Sequence, residues 1–232
     1  MRLLIACLGV SLLGACASAP PAPAPGRAGA FGYVKLVPRE GVPNPGGSHS
    51  YGDREFEGVS FVDYSKPGFA VVYADAPAQA GETAALAIRD GTTHAGFDPP
   101  HAALGAGGAI TVANRSGATH VVSCPGAGLV KPLAAGESLQ IVAATPGEWP
   151  IYLLDVAGEE ARVFAAPGPY RVVSSSGRFE FTDLEPGRVQ LRAWHPRFPP
   201  AETSVDLAAG SSVRVDLELR VGDHDEDPAD AK

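Results

Sequence analysis

The sequence has little cysteine, little methionine and no excess of positive charge. Of its 232 residues, three are Cys and one is Met, which excludes a disulfide-stapled scaffold and a cysteine-rich zinc module. Lys and Arg number 18 against 26 Asp and Glu, giving a formal net charge of −8. No basic stripe is available for phosphate backbones, so we expect no nucleic-acid partner. With 28 Gly and 22 Pro, a bundle of long helices is also disfavoured.

The N-terminus carries an export signal. Arg2 precedes an apolar run from Leu3 to Leu13, which is too short to span a bilayer and is typical of a signal peptide. The motif Leu13-Gly14-Ala15-Cys16 resembles a bacterial lipobox, whose cysteine is lipidated and becomes the mature N-terminus. The alternative is an ordinary signal peptide cleaved near Ala19.

The lipobox interpretation predicts a membrane anchor. Residues 1–15 are then the lipoprotein signal peptide, and acyl chains such as palmitate on Cys16 hold the protein, since each buried methylene contributes about 0.8 kcal/mol. The residue after Cys16 is Ala17. An Asp at this position would resemble an inner-membrane retention signal. We therefore expect a lipid anchor in the outer membrane, facing the periplasm or the cell surface. Cys7 leaves with the signal, so Cys124 remains as the one free thiol.

The segments at either end of the mature chain have the composition of unfolded polypeptide. Residues 16–30 are a Pro/Ala tether, expected to be extended and to hold the folded part away from the lipid surface. Residues 222–232 form an acidic tail, which we interpret as disordered. A weak divalent-cation site is the alternative for that tail.

The middle of the chain is a series of short apolar segments separated by Gly, Pro, Asn and Asp. The regular spacing of short apolar segments and turn residues predicts an all-β fold of Greek-key β-sandwiches. Residues Ser212 to Leu219 alternate apolar and polar side chains and predict a half-buried antiparallel strand. The predicted strands are Tyr33 to Val37, Phe69 to Tyr73, Ala84 to Ile88, Ala109 to Ala113, His120 to Ser123, Ser138 to Ala143, Gly147 to Leu154, Ala161 to Ala165, Tyr170 to Ser174, Arg178 to Phe181, Val189 to Trp194, Thr203 to Leu207 and Ser212 to Leu219.

Two blocks resemble known families. The first is Phe97-Asp98-Pro99-Pro100-His101 followed by the strand-like segments from Gly107 to Val122, and it resembles the cupredoxin pattern over about Phe69 to Ala165. The second runs from Pro169 to Pro196 and looks like the signature of carboxypeptidase-regulatory-like, transthyretin-type sandwich domains. The order of the blocks is similar to that of periplasmic proteins described as methylamine-utilisation or plastocyanin-like.

The second block has a physical interpretation of its own. Gly177 and the pair Pro186-Gly187 are predicted to turn two hairpins. Phe179 and Phe181 point to one side of a strand, and the next strand returns to the core. Trp194 is interpreted as core filler and His195 as a surface residue at a strand end.

The resemblances suggest a division into domains. We expect a cupredoxin-like sandwich over residues 31–168 and a carboxypeptidase-regulatory-like domain over 169–221. Residues 169–221 supply fewer strands than the roughly seven that such a sandwich needs. Strands within residues 31–75 resemble the missing ones and would pair with the C-terminal domain, which would make the cupredoxin-like part an insertion.

A cupredoxin copper site needs two imidazoles and a thiolate with a weak axial sulfur. His120 stands where the first histidine of the family would be. The segment around Gly147 to Leu154, where the resemblance implies Cys, His and Met, contains none of them. The side chains of Glu148 and Trp149 are expected to fill the space that a cupredoxin copper site would occupy.

A different copper site remains open. It would use His120, His101, His94 and Cys124, since His94 and His101 flank the turn at Phe97 to Pro100 and could approach His120. The competing interpretation is that the loop histidines are solvated and that Cys124 is a small core residue.

Two functions follow from these observations. The first is a non-catalytic, membrane-anchored lipoprotein with a degenerate copper site and no cofactor, acting as a structural module or binding a protein or glycan. The alternative is a periplasmic copper-binding or electron-transfer protein. An enzyme is not expected, since the chain has no Gly-x-Ser-x-Gly, His-Glu-x-x-His or phosphate-binding loop.

Overall fold

The structure is a computed structural model that describes residues 20–38, 62–76 and 82–220. Over these ranges the chain is almost entirely β-strand, which confirms the all-β prediction, with one short 3₁₀ helix at Pro125–Ala127. None of the described residues forms a helix long and apolar enough to cross a membrane. The strands are β1 Ala28–Val37, β2 Ala70–Ala74, β3 Thr83–Asp90, β4 Ala95–Asp98, β5 His101–Gly105, β6 Ala109–Asn114, β7 His120–Cys124, β8 Leu129–Leu133, β9 Ser138–Val142, β10 Gly147–Leu153, β11 Glu160–Ala166, β12 Tyr170–Val173, β13 Arg178–Leu184, β14 Gly187–His195, β15 Phe198–Leu207, β16 Ser212–Arg214 and β17 Leu217–Arg220.

The first sandwich is built from β3 to β11. One sheet has the order β4-β3-β6-β9 and the other the order β5-β11-β10-β7-β8. Side chains from both sheets fill a shared core that includes Ile88, Ile110 and Ile151, all without solvent exposure. Two of the pairings, β3 with β6 and β5 with β11, are parallel.

The second sandwich combines strands from the two ends of the described chain. β1 pairs with β13, β16 and β17 in one sheet, and the other sheet has the order β12-β2-β14-β15. Phe181, Leu191 and Leu219 are fully buried between these sheets. The strands β1 and β2, which precede the first sandwich in sequence, therefore pair with strands that follow it.

An aromatic cluster joins the two sandwiches. Trp194 of β14 stacks on Phe164 of β11, with ring centroids 4.8 Å apart. Its indole N–H donates to Glu148 Oε1 at 2.7 Å, so the buried indole nitrogen has a partner from the opposite sandwich. The contact lies between the outer faces of the β12-β2-β14-β15 and β5-β11-β10-β7-β8 sheets, and the four sheets form a stack.

The prediction of one antiparallel strand from Ser212 to Leu219 is wrong. This segment forms β16 and β17, and both run parallel to β1. Between them the Val215 N–H donates to Phe31 O at 2.8 Å, which continues the pairing of β16 with β1. Here the backbones are so close that a Cβ on Gly32 would lie 1.8 Å from the Val215 carbonyl oxygen.

The two predicted hairpins of the second block are also corrected. The turn at Gly177, where φ is +72°, joins β12 to β13, and these strands lie in different sheets. The turn at Pro186-Gly187 likewise carries the chain from β13 to β14 in the opposite sheet. Both turns therefore cross over the sandwich core, although the glycine positions themselves are turns as predicted.

We expect residues 169–232 to be unstable as an isolated fragment. Without β1 and β2 this fragment loses the strand neighbours of β12, β13 and β14 and exposes the core that they cover. Limited proteolysis and circular dichroism on the fragment, with the chain from residue 20 onward as control, test this. Release of a folded, protease-resistant fragment over 169–232 would contradict the pairing.

Candidate functional site

A buried asparagine fixes the turn that leads to His120. Asn114, at the end of β6, is fully buried. Its Nδ2 donates to Ala118 O at 2.7 Å and to Leu133 O at 2.8 Å. Its Oδ1 accepts the Ser116 N–H and hydroxyl. Every polar atom of this side chain is thus bonded, which holds the β6–β7 turn in one conformation.

His120 begins β7 with its ring buried and tied to a carboxylate. The side chain of the residue is 7% exposed, and its Nδ1–H donates to Asp155 Oδ2 at 2.8 Å. The other oxygen of Asp155 accepts the Val121 N–H at 2.8 Å. One carboxylate therefore holds both the ring and the backbone at the start of β7 to the segment that follows β10.

The electrostatics of this pair favour a charged carboxylate. Burial acts to raise the pKa of Asp155, but the hydrogen bonds from Val121 and the His120 ring outweigh it and hold that pKa below its usual value. The His120 Nε2 atom is buried and has no hydrogen-bond partner among the described residues. One imidazole nitrogen is thus bonded to Asp155, and the other is enclosed by the protein.

Cys124 lies at the opposite end of the same strand. Four residues along a strand correspond to about 13 Å, and Cys124 is fully buried. Burial raises the pKa of its thiol, against smaller opposing effects of the Ala127 and Gly126 N–H groups. A neutral buried thiol is a poor metal ligand and a poor nucleophile.

The remaining candidate ligands lie elsewhere. His101 opens β5 and stacks on Phe69 at 5.6 Å between ring centroids, and burial together with the Arg162 charge lowers its pKa. His94 is exposed in the β3–β4 turn, with Nδ1 3.0 Å from Ala95 O. In the part of the chain that the structure describes, no three His, Cys, Asp or Glu side chains come together as metal ligands would.

The segment where the resemblance implies copper ligands is filled by core and interface contacts. Trp149 is 5% exposed, its indole N–H donates to Thr145 O at 3.0 Å, and its ring lies against Gly126. Glu148 faces the other way and bonds Trp194. Asp155, two residues after β10, is the partner of His120 that the sequence pattern does not predict.

The interpretation of His195 as a surface residue is wrong. It is 7% exposed, its Nε2–H donates to Pro67 O at 3.0 Å, and its Nδ1 accepts the Arg197 N–H at 3.0 Å. Burial lowers the pKa of His195 to about 4, so the ring is neutral at pH 7. Trp194 is buried as expected, but in the cluster between the sandwiches.

Comparisons with known proteins give partial structural similarities. No family model matches the chain, and no curated protein matches it. A purple cupredoxin from Nitrosopumilus maritimus matches with 19% identity over 36% of this chain and 99% of that chain, at a TM-score of 0.31. A Cu-containing nitrite reductase from Thermus scotoductus SA-01 matches with 17% identity over 38% of this chain and 28% of that chain, at 0.30. A reduced Cu(I) form of an amicyanin mutant matches with 15% identity over 41% of this chain and 97% of that chain, at 0.30.

We predict that Asp155→Ala lowers the free energy of unfolding by about 1–2 kcal/mol, because it leaves a buried imidazole N–H and the Val121 N–H without their acceptor. Urea unfolding at pH 7 measures the change. The carboxylate contributes above its unfolded pKa, and the contribution is lost as the pH falls through its lower folded value. The difference between parent and variant should therefore shrink below about pH 4.

Asp206→Ala provides the matched control, because Asp206 is an exposed aspartate on β15. Its effect should stay within about 0.5 kcal/mol. Equal stabilities for the two variants would show that the bond to His120 contributes nothing.

Proposed function

We propose that this chain is a non-catalytic, lipid-anchored module whose cupredoxin-like end is closed by the His120–Asp155 hydrogen bond instead of a metal ion. The observation that carries the proposal is the state of the His120 ring: one nitrogen donates to Asp155 at 2.8 Å, and the other is buried. The anchor is the acylated Cys16 in the outer membrane, and the module serves a structural role or binds a protein or glycan. Cys16 lies outside the described residues, and its role as the anchor is proposed from its lipobox motif.

Copper chemistry does not fit the donor set. Copper sites of the cupredoxin type combine imidazoles with a thiolate that can approach the same ion. Cys124 and His120 are separated along β7 by about 13 Å, whereas metal–ligand bonds are about 2 Å long. His101 and His94 belong to other contacts. The residues present therefore supply one imidazole where a site needs three or more ligands.

The alternative copper-binding function rests on one observation. The carboxylate on Nδ1 of His120 is the arrangement that orients metal-binding histidines through their other nitrogen, and Nε2 is unpartnered. Among the described residues, however, no group of three His, Cys, Asp or Glu side chains that could hold a metal ion is found. The copper titration below separates the two functions.

The proposal includes the domain arrangement. The first sandwich, formed by β3 to β11, is an insertion between β2 and β12 of the second, regulatory-like sandwich. The pairing of β1 with β13 and of β2 with β12 supports this assignment. In this arrangement the two sandwiches are joined by two chain crossings and by the Trp194 cluster.

A non-catalytic role is supported by the placement of the titratable groups. Among the histidines that the structure describes, His120 is the one paired with a carboxylate, and its other nitrogen is buried away from any substrate. Cys124 is buried with a raised pKa, so it is not an activated nucleophile. These residues stabilise the fold and do not form a general base with a nucleophile.

We predict that the purified chain from residue 20 onward binds neither Cu(II) nor Cu(I) stoichiometrically. His120→Asn is the matched control, because it removes the central candidate ligand, and its weak binding should equal that of the parent. A visible charge-transfer band on copper addition that disappears in Cys124→Ser would overturn the proposal in favour of the copper-binding alternative.

We predict that Cys16→Ser abolishes membrane association. The substitution removes the thiol that carries the acyl chains, so the exported protein should move from the membrane fraction to the soluble fraction. Cys7→Ser is the control, since this cysteine lies within the predicted signal peptide. Unchanged partitioning of Cys16→Ser would refute the lipid anchor.

A further inference from the structure

Residues 20–27, named the strap here, are bound to the second sandwich and do not form a free spacer. The sequence predicts that residues 16–30 form an extended Pro/Ala tether that holds the folded part away from the lipid surface. Within that range the strap contacts the folded part, and residues 28–30 belong to β1. Gly29, just after the strap in β1, is buried. Three hydrogen bonds join the strap to the folded body: Ser212 Oγ–H to Pro21 O at 2.5 Å, Ala24 N–H to Thr182 O at 2.7 Å and Gly210 N–H to Arg27 O at 2.8 Å.

An ion pair holds the end of the strap at the same place. The Arg27 guanidinium bonds the Glu185 carboxylate in the turn between β13 and β14. Together with Gly210 in the β15–β16 turn, these contacts locate the strap at one end of the second sandwich. This end, formed by the turns at residues 185–187 and 208–211, is called the near end.

The bound strap leaves little free chain next to the anchor. Between Cys16 and Pro20 there are four peptide units, and at 3.3–3.6 Å per residue they reach at most about 14 Å. A tether free over residues 16–30 would reach about 50 Å. The strap therefore limits how far the near end can lie from the acylated cysteine.

The His120–Asp155 pair lies at the opposite end of the molecule. Across the junction, Arg162 Nη1 donates to Pro196 O at 2.7 Å, and Phe164 stacks on Trp194. Residue numbers therefore rise along β11 as they fall along β14, so the two strands run antiparallel. Pro196 follows β14 at the end that is farthest from Gly187. Tyr152 pairs with Glu160 at that same far end of β11, whereas Gly147 pairs with Ala165 at the other. β10 thus starts on the side of the molecule where the near end lies and runs toward the opposite side.

The separation between the strap and the pair exceeds the free reach. From the start of β10 to Asp155 is about 25 Å along the strand. His120 also lies in the third sheet of the stack, about 20 Å across from the sheet of β1 under the strap. The four free peptide units between Cys16 and Pro20 reach at most about 14 Å. They are too short to span the distance between the strap and the His120–Asp155 pair.

We infer that the near end of the second sandwich faces the lipid headgroup surface and that the His120–Asp155 end points away from it. This inference rests on the proposed anchor at Cys16. The interaction surface is thus the end that carries the strap and the turns at 185–187 and 208–211, and its partner is the membrane that holds the acyl chains.

Energy transfer to a labelled bilayer tests the orientation. The full lipidated chain is reconstituted in phosphatidylethanolamine/phosphatidylglycerol vesicles that contain acceptor-labelled lipid. A donor dye is attached at Arg188→Cys, exposed at the near end, or at Thr119→Cys, exposed beside His120. Transfer should be several-fold stronger from position 188 than from position 119. The unsubstituted chain is the labelling control, because Cys124 is buried.

Loosening the strap provides the second measurement. Ser212→Ala combined with Arg27→Ala removes two of the strap contacts, so transfer from position 188 should fall toward that from position 119. Equal transfer from the two positions in the parent, or stronger transfer from 119, would overturn the orientation. Failure of the parent to bind vesicles at all would instead refute the anchor, and vesicle flotation reads this out separately.

Discussion

Strand β1 is the element on which the rest of the second sandwich depends. Its ten residues Ala28–Val37 pair antiparallel with β13 and parallel with β16 and β17. One face contributes Ala28, Ala30, Val34 and Leu36 to the core, and at Gly29 a Cβ would meet the Ser212 side chain, which also donates to Pro21 of the strap. Because its partners follow the first sandwich in sequence, the sandwich closes only after almost the whole chain is available, which makes its contacts highly non-local.

The first sandwich depends on a different local constraint. Asn114 fixes the turn before His120 through four hydrogen bonds, and Asp155 then joins His120 to the segment after β10. A metal ion at such a position would hold the same two segments together through its ligands. A carboxylate–imidazole hydrogen bond provides the same connection with residues that the chain already contains, and it requires no thiolate. In the proposed function, this bond holds the start of β7 in place, and Gly147–Leu153 contains no Cys, His or Met.

Local sequence patterns predicted much of the fold, and contacts between distant residues explain what they missed. Alternating segments such as Ser138 to Ala143 became strands because their period buries one face. β4, β5 and β8 are short and contain Gly96, Gly105 or Pro132, so only their neighbours make them strands. Asp155 is 35 residues from His120, and the Pro67 carbonyl to which His195 donates is 128 residues from it. No local spacing signals either partner.

The central claim is that the His120 ring is hydrogen-bonded to the Asp155 carboxylate and is not bound to a metal ion. Long-range ¹H–¹⁵N spectra of the histidine rings, recorded at pH 7 before and after one equivalent of Cu(I), test it most directly. The account predicts that the Nδ1 proton of His120 is present and that its signals do not change on copper addition. Loss of that proton, or a shift of the Nδ1 or Nε2 resonance in proportion to added copper, would contradict it.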